Sequence, residues 1–227
     1  MRGTSLVLVA ALFGAAVSGP VSAQQAEPLG YGVEDAPNRY AFLSLVTCRH
    51  CVDLYATIRD GEVHGVPVLA REAAAQAHQA LEDGRIRLDV YFVHQSRKDL
   101  WADLLVRCSA DPLESHRRLQ LAESHWRDVT FRHGEGFKRV EIPAARAVKV
   151  MRAILSPDLI AADAFDGCLQ GEARAAEVVK VSRERYEEAR SEAADATVNF
   201  PAAFIDGELN MGAVEILHAI ADDLARR

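Results

Sequence analysis

The chain has 227 residues, of which 49% are hydrophobic and 26% charged, and its formal net charge is −7 at pH 7. This is the composition of an ordinary globular protein, long enough for one large domain or two small ones. The basic residues are scattered among acids, so the chain lacks the clustered cations that a nucleic-acid-binding protein needs. Four cysteines are too few for a disulfide-rich scaffold.

The first 23 residues differ from the rest. Arg2 is followed by an apolar run at 6–17 and then by small residues that end at Ala23. This pattern predicts a secretory signal peptide at 1–23, cleaved after Ala23. The alternative is an N-terminal anchor helix, but the run is too short to cross about 30 Å of hydrocarbon. No later segment has the pattern of a membrane span, so we expect a soluble mature protein in an exported, oxidising compartment such as the periplasm.

The first half of the mature chain alternates strands with helices. A polar lead-in at 24–38 precedes a predicted buried strand at 40–46, a helix at 52–59, a helix at 70–82 and a strand at 86–93. Two cysteines, Cys48 and Cys51, lie between the first strand and the first helix. The local order is therefore strand, CxxC, helix.

The second half begins with a long helical block. The periodicity is helical throughout 99–193, with helix starts marked by Pro112, Pro143 and Pro157 and a long charged helix at 172–193. Strand character returns at the end of the chain. It comprises a strand at 197–205, a turn at 206–207, a strand at 208–210 and a last helix at 212–225.

The spacing of Cys48 and Cys51 predicts redox chemistry. At the start of a helix, unpaired backbone amides and the helix dipole stabilise a thiolate on Cys48, which would be the nucleophile. Arg49 and a protonatable His50 add positive potential and should lower the pKa of Cys48. Cys51, one turn further in, would be less exposed and well placed to attack a mixed disulfide formed on Cys48.

A CxxC can also be half of a zinc site, or inert. A zinc site needs two more ligands at matched spacing, and Cys108 and Cys168 each stand alone. The remaining histidines are dispersed singly and are interpreted as surface or core residues; they are His64, His78, His94, His116, His125, His133 and His218. The sequence therefore predicts no metal site and no cofactor.

Two segments near the ends of the mature chain resemble one known family. The segment 34–37 leads into the strand before Cys48 and Cys51, and the segment 198–207 contains Pro201 ahead of a hairpin and a last helix. Together with the inserted helical block, they resemble the DsbA-like branch of the thioredoxin fold. The resemblance implies an α/β, thioredoxin-like fold with an inserted helical domain, with the core at 24–98 and 194–227 and the insertion at 99–193.

The resemblance also implies roles for residues near Pro201. In this family the equivalent proline is cis and packs beside the CxxC, and the backbone before it binds an extended substrate strand; a trans proline that begins an edge strand is the alternative. Phe200 stands where the family usually has a small or β-branched residue, and Arg49 stands where proline is frequent. Both are therefore expected to influence the reduction potential, while His50 agrees with the oxidase pattern.

Some proteins of this family carry a second cysteine pair at places similar to Cys108 and Cys168. The resemblance thus implies a structural disulfide, which would stabilise the fold by about 4 kcal/mol on the chain-entropy model. Two buried free thiols are the alternative. They are less expected in an oxidising compartment.

These observations favour an exported dithiol oxidase. In it, Cys48 and Cys51 accept electrons from reduced or unfolded exported proteins, and a membrane partner or small oxidant then restores the disulfide. A reductase or isomerase would use the same residues, although the short stretch before the first strand leaves no room for the dimerisation domain usual in such isomerases. A carrier of a soft ion such as Cu(I) is the third hypothesis. The sequence does not identify a proton-transferring residue, because Tyr40 alone is ionisable in the strand at 40–46.

Overall fold

A computed structural model describes residues 28–61, 65, 67–134, 136–195 and 197–227. Two predictions lie outside these residues. One is the signal peptide with its cleavage after Ala23, and the other is the interpretation of His64 as a surface or core residue. Within them, no helix is both long and apolar enough to cross a membrane.

The described elements alternate as an α/β fold. The strands are β1 (Leu29–Tyr31), β2 (Asn38–Ser44), β3 (Ile86–Phe92), β4 (Val129–His133), β5 (Gly136–Val140), β6 (Ala202–Ile205) and β7 (Glu208–Met211). The helices are α1 (Arg49–Asp60), α2 (Arg71–Glu82), α3 (Arg97–Cys108), α4 (Pro112–Leu121), α5 (Glu123–Trp126), α6 (Ala144–Leu155), α7 (Phe165–Leu169), α8 (Glu172–Glu192) and α9 (Ala213–Arg226). A short 3-10 turn, Val68–Ala70, precedes α2.

Five strands form the main sheet in the order β1-β3-β2-β6-β7. Strand β2 is parallel to β3 and antiparallel to β6, and β1 and β7 are antiparallel edge strands. The carboxyl ends of β2 and β3 and the amino end of β6 therefore meet at one edge of the sheet. This edge carries the residues that follow β2 and those that precede β6.

Both faces of the sheet are covered. Phe42 and Val90, which are paired in the β2–β3 register, belong to the large core under α1, α2 and α9. Their neighbours Leu43 and Tyr91 point to the opposite face and pack in a second cluster with Ala189 of α8. Burial on both faces explains why the segment 40–46 reads as an apolar run. Strand β3 instead alternates over its first half, with Arg87 and Asp89 between apolar residues.

Local capping fixes the start and end of the helix that follows β2. Cys48 has extended backbone and is the N-cap of α1, while Gly61 ends the helix in the left-handed region at φ 70° and donates its amide to Thr57 O. In the helical block, the Asp111 side chain accepts from the Glu114 amide and Pro112 takes the first position of α4. The predicted start of α4 is thus confirmed.

Three local predictions are wrong. The polar lead-in contains β1, which pairs with β3 over Leu29–Tyr31. The block at 99–193 is not helical throughout, because β4 and β5 form an antiparallel hairpin within it. Pro157 does not begin a helix, since α6 ends at Leu155 and turns follow.

Candidate redox site at the end of β2

Cys48 and Cys51 form a disulfide at the amino end of α1, with Cα atoms 5.3 Å apart. The Cys51 amide donates to Cys48 Sγ at 3.1 Å, which is the side-chain capping bond of the helix. Cys51 is fully buried, whereas Cys48 is half-buried. An incoming thiol therefore has access to Cys48 and not to Cys51.

The two residues between the cysteines lie on the outside of the molecule. The Arg49 side chain is 76% exposed and its Nε lies 3.6 Å from Asp53 Oδ2, and His50 is also exposed. Water screens an ion pair of this kind strongly, so Arg49 contributes less potential at the sulfurs than a buried cation would. That Arg49 and His50 tune the redox pair remains a prediction.

Pro201 lies at the same sheet edge as the cysteines. Ala202 pairs with Leu43, so Pro201, the residue before it, lies beside the end of β2. The peptide bond between Phe200 and Pro201 is cis, and Pro201 is buried. The Phe200 ring stacks on Tyr186 of α8 at 6.4 Å between centroids and 14° between planes. The role of Phe200 in setting the reduction potential stays a prediction.

A cavity of about 260 Å³ lies beside Phe200, between α8 and the segment that follows β3. Its lining includes Tyr186, His94 and Gln95. His94 Nε2 is 2.9 Å from Oδ2 of Asp103, a fully buried carboxylate of α3. Burial alone would raise the pKa of Asp103, but the Arg107 charge and the hydrogen bond with His94 outweigh it and lower that pKa.

Two residues of the helical block reach the turn that carries Cys48. His116 of α4 is fully buried, and its Nε2 lies 3.3 Å from Leu45 O. Arg127, which caps α5, donates to Thr47 Oγ1 at 3.3 Å. Sequence reasoning missed both contacts, since His116 is one of several isolated histidines and its partner lies 71 positions away.

Cys108 and Cys168 form the second disulfide, between the end of α3 and α7, with Cα atoms 6.1 Å apart. The bond closes a loop with a sequence separation of 60. Among the described residues, no three His, Cys, Asp or Glu side chains are grouped so that they could hold a metal ion.

Comparison with known proteins gives the fold. No protein-family model matches the chain, and no curated protein matches its sequence. DsbA of Chlamydia trachomatis is 14% identical with a TM-score of 0.54, and the match covers 87% of this chain and 92% of that one. For alpha-DsbA1 of Wolbachia pipientis the identity is 11%, the TM-score 0.53 and the coverage 88% and 94%. The thioredoxin-like fold with an inserted helical domain is thus confirmed.

Proposed function

We propose that the protein is an exported thiol:disulfide oxidoreductase that works as a dithiol oxidase through Cys48 and Cys51. The observation that carries the proposal is the disulfide at the amino end of α1, in which one sulfur is accessible and the other is fully buried. This asymmetry suits ordered exchange, because a substrate thiolate reaches Cys48 first and Cys51 is the leaving group.

The reaction consists of two exchanges. A substrate thiolate attacks Cys48 Sγ, the bond between Cys48 and Cys51 breaks, and Cys51 leaves as a thiolate that takes up a proton. A second substrate thiol, after losing its proton, attacks the substrate sulfur of the mixed disulfide and releases Cys48 as a thiolate. The substrate loses two electrons and the cysteine pair gains them. A membrane redox partner or a small disulfide oxidant then restores the starting state.

The oxidising direction rests on the stability of the Cys48 thiolate. As N-cap of α1, Cys48 lies where backbone amides and the helix dipole favour negative charge. Arg49 adds positive charge around the turn, as does His50 when it is protonated. The charge of Arg127 is balanced by Asp99 at 3.1 Å and by Glu123 at 3.0 Å. A stabilised thiolate makes the reduced form more favourable relative to the disulfide, which is the property of an oxidant.

Location and domain organisation complete the proposal. With residues 1–23 removed as a signal peptide, the protein would act in the periplasm on reduced or unfolded exported proteins. The segments 24–98 and 194–227 would form the redox core and 99–193 the insertion. Pro201 would present the backbone of the preceding residue to an extended substrate strand.

Two single substitutions test the assignment of the cysteines. Cys48→Ser should abolish oxidation of a reduced model substrate. Cys51→Ser should leave Cys48 able to attack glutathione disulfide and hold a stable mixed disulfide, visible by mass spectrometry as one glutathione adduct. Full turnover by the Cys51→Ser variant would contradict the proposal. The double variant Cys108→Ala/Cys168→Ala is the control, since its active-site pair is intact and should still oxidise the substrate.

A further inference from the structure

The helical insertion contacts the turn between β2 and α1 at Leu45, whose carbonyl oxygen also binds the Cys48 amide. Leu45 O accepts a hydrogen bond from the Cys48 amide at 3.0 Å. The same carbonyl oxygen lies 3.3 Å from His116 Nε2. A carbonyl oxygen has two lone pairs and can only accept, so Nε2 of His116 carries the hydrogen in this contact. One oxygen thus joins the redox cysteine to α4.

The surroundings of His116 leave its ring little freedom to move. The side chain is fully buried, and the ring meets Phe92 edge-on at 4.9 Å with 87° between planes. The ring of Tyr55, one helical turn after Cys51 in α1, has its centroid 6.2 Å from that of His116. Among the described side chains, His116 Nδ1 is a buried polar atom without a hydrogen-bond partner. The ring is thus fixed by packing and by its bond to Leu45 O.

We propose that His116 is a positioning residue for the CxxC. Its hydrogen bond to Leu45 O fixes the turn that places Cys48 at the amino end of α1. The helical insertion thereby sets the reactivity of the redox pair. This inference rests on the proposed function and assigns part of its control to a residue outside the motif. His116 contacts neither sulfur in this role and acts through the backbone of Leu45.

Proton transfer is the other role that a buried histidine close to a redox pair could have. Burial lowers the pKa of His116 to about 4. A thiol has an ordinary pKa of about 8.5. Transfer of a thiol proton to such a weak base is strongly unfavourable. The contact of Nε2 with Leu45 O, together with this low pKa, therefore favours a hydrogen-bond donor that holds the backbone over a base.

Loss of the hydrogen-bond donor at His116 should make the Cys48 thiolate less stable. Without it, the turn is less restrained and the backbone amides at the start of α1 stabilise the Cys48 thiolate less well. The pKa of Cys48 should then rise, and the equilibrium with glutathione should move towards the disulfide. A buried hydrogen bond contributes enough to change this equilibrium constant about fivefold.

Three variants of His116 separate the hydrogen bond from packing. His116→Phe keeps a flat ring and removes the donor, and His116→Asn has an amide too short to reach Leu45 O, for use if the first variant does not fold. His116→Gln retains an N–H donor at a similar reach. The matched control is His78→Phe, because His78 Nδ1 lies 3.0 Å from Ile58 O at the opposite end of α1. Thiol trapping in glutathione buffers gives the equilibrium constant, and thiolate absorbance against pH gives the pKa of Cys48.

The proposal predicts an equilibrium constant about fivefold more in favour of the disulfide for His116→Phe or His116→Asn, with a higher pKa of Cys48. His116→Gln should remain within about twofold of wild type, and His78→Phe should lose stability without a redox change. Wild-type values in the variants without a donor, or an equal shift in His78→Phe, would overturn the positioning role. A wild-type pair that does not exchange with glutathione would instead refute the proposed function itself, and the positioning role with it.

Discussion

His116 should make the folded protein sensitive to acid at a pH above that at which carboxylates titrate. Its usual pKa is 6.5, and burial lowers the pKa in the fold to about 4. Between these values the unfolded chain binds a proton that the folded chain excludes, so stability falls as the pH is lowered from 6.5 to 4. One pKa unit corresponds to about 1.4 kcal/mol, and the loss attributable to this residue is therefore about 3 kcal/mol.

The perturbation is the substitution His116→Phe, which removes the titrating group and keeps a ring of similar size. The assay is urea denaturation of wild type and variant at pH 7, 5 and 4 with both disulfides intact. At pH 7 the variant should be less stable, because it lacks the bond to Leu45 O. By pH 4 the difference in stability should change by about 3 kcal/mol in favour of the variant, since only the wild type must release a proton from His116 in order to fold.

Ser115→Ala is the matched control for this titration. Ser115 is also fully buried in α4, and its hydroxyl donates to Ser109 Oγ at 2.6 Å within the helical block. Its substitution should lower stability by the same amount at each pH. If the deficit of His116→Phe is also constant from pH 7 to pH 4, the argument from burial of a neutral imidazole is wrong.

Two further stability predictions follow from the helical insertion. Replacing Cys108 and Cys168 together by Ala should lower the free energy of unfolding by about 4 kcal/mol, because the loop they close has a sequence separation of 60. Chemical denaturation measures this loss, and a loss below about 1 kcal/mol would contradict the prediction. Asp103→Asn should cost about 3 kcal/mol, because it removes the buried negative charge that Arg107 contacts at 2.6 Å. The exposed carboxylate of Asp158 is the control, and an equal effect of Asp158→Asn would refute the argument from burial.

The sequence predicts those parts of the fold in which the pattern of hydrophobic residues marks a buried face. The apolar run that becomes β2, the alternating segment that becomes β3, the helix after Cys48 and the last hairpin and helix all have one face or both faces in the core. The β4–β5 hairpin has no such pattern, because all five residues of β5 are exposed, with Phe137 at 79%. Strand β1 is only three residues long and exists through pairing with β3, far along the chain.

The candidate site likewise has a part that the sequence predicts and a part that it does not. Cys48 and Cys51 are recognisable because their chemistry depends on local spacing and on a helix start. The contacts of His116 and Arg127 with the turn at Leu45 and Thr47 depend on how the insertion packs against the core. No periodicity or spacing in the chain encodes that packing. The sequence therefore predicts a candidate redox pair but not the groups that surround it.

The reduction potential of the Cys48–Cys51 pair tests the central claim most directly. It is measured at equilibrium in glutathione buffers, with thiol trapping and mass spectrometry to separate this pair from Cys108 and Cys168. A dithiol oxidase predicts a value of about −120 to −180 mV, at the oxidising end of the known range. A value near about −270 mV would identify a reductant and contradict the proposed direction of electron flow.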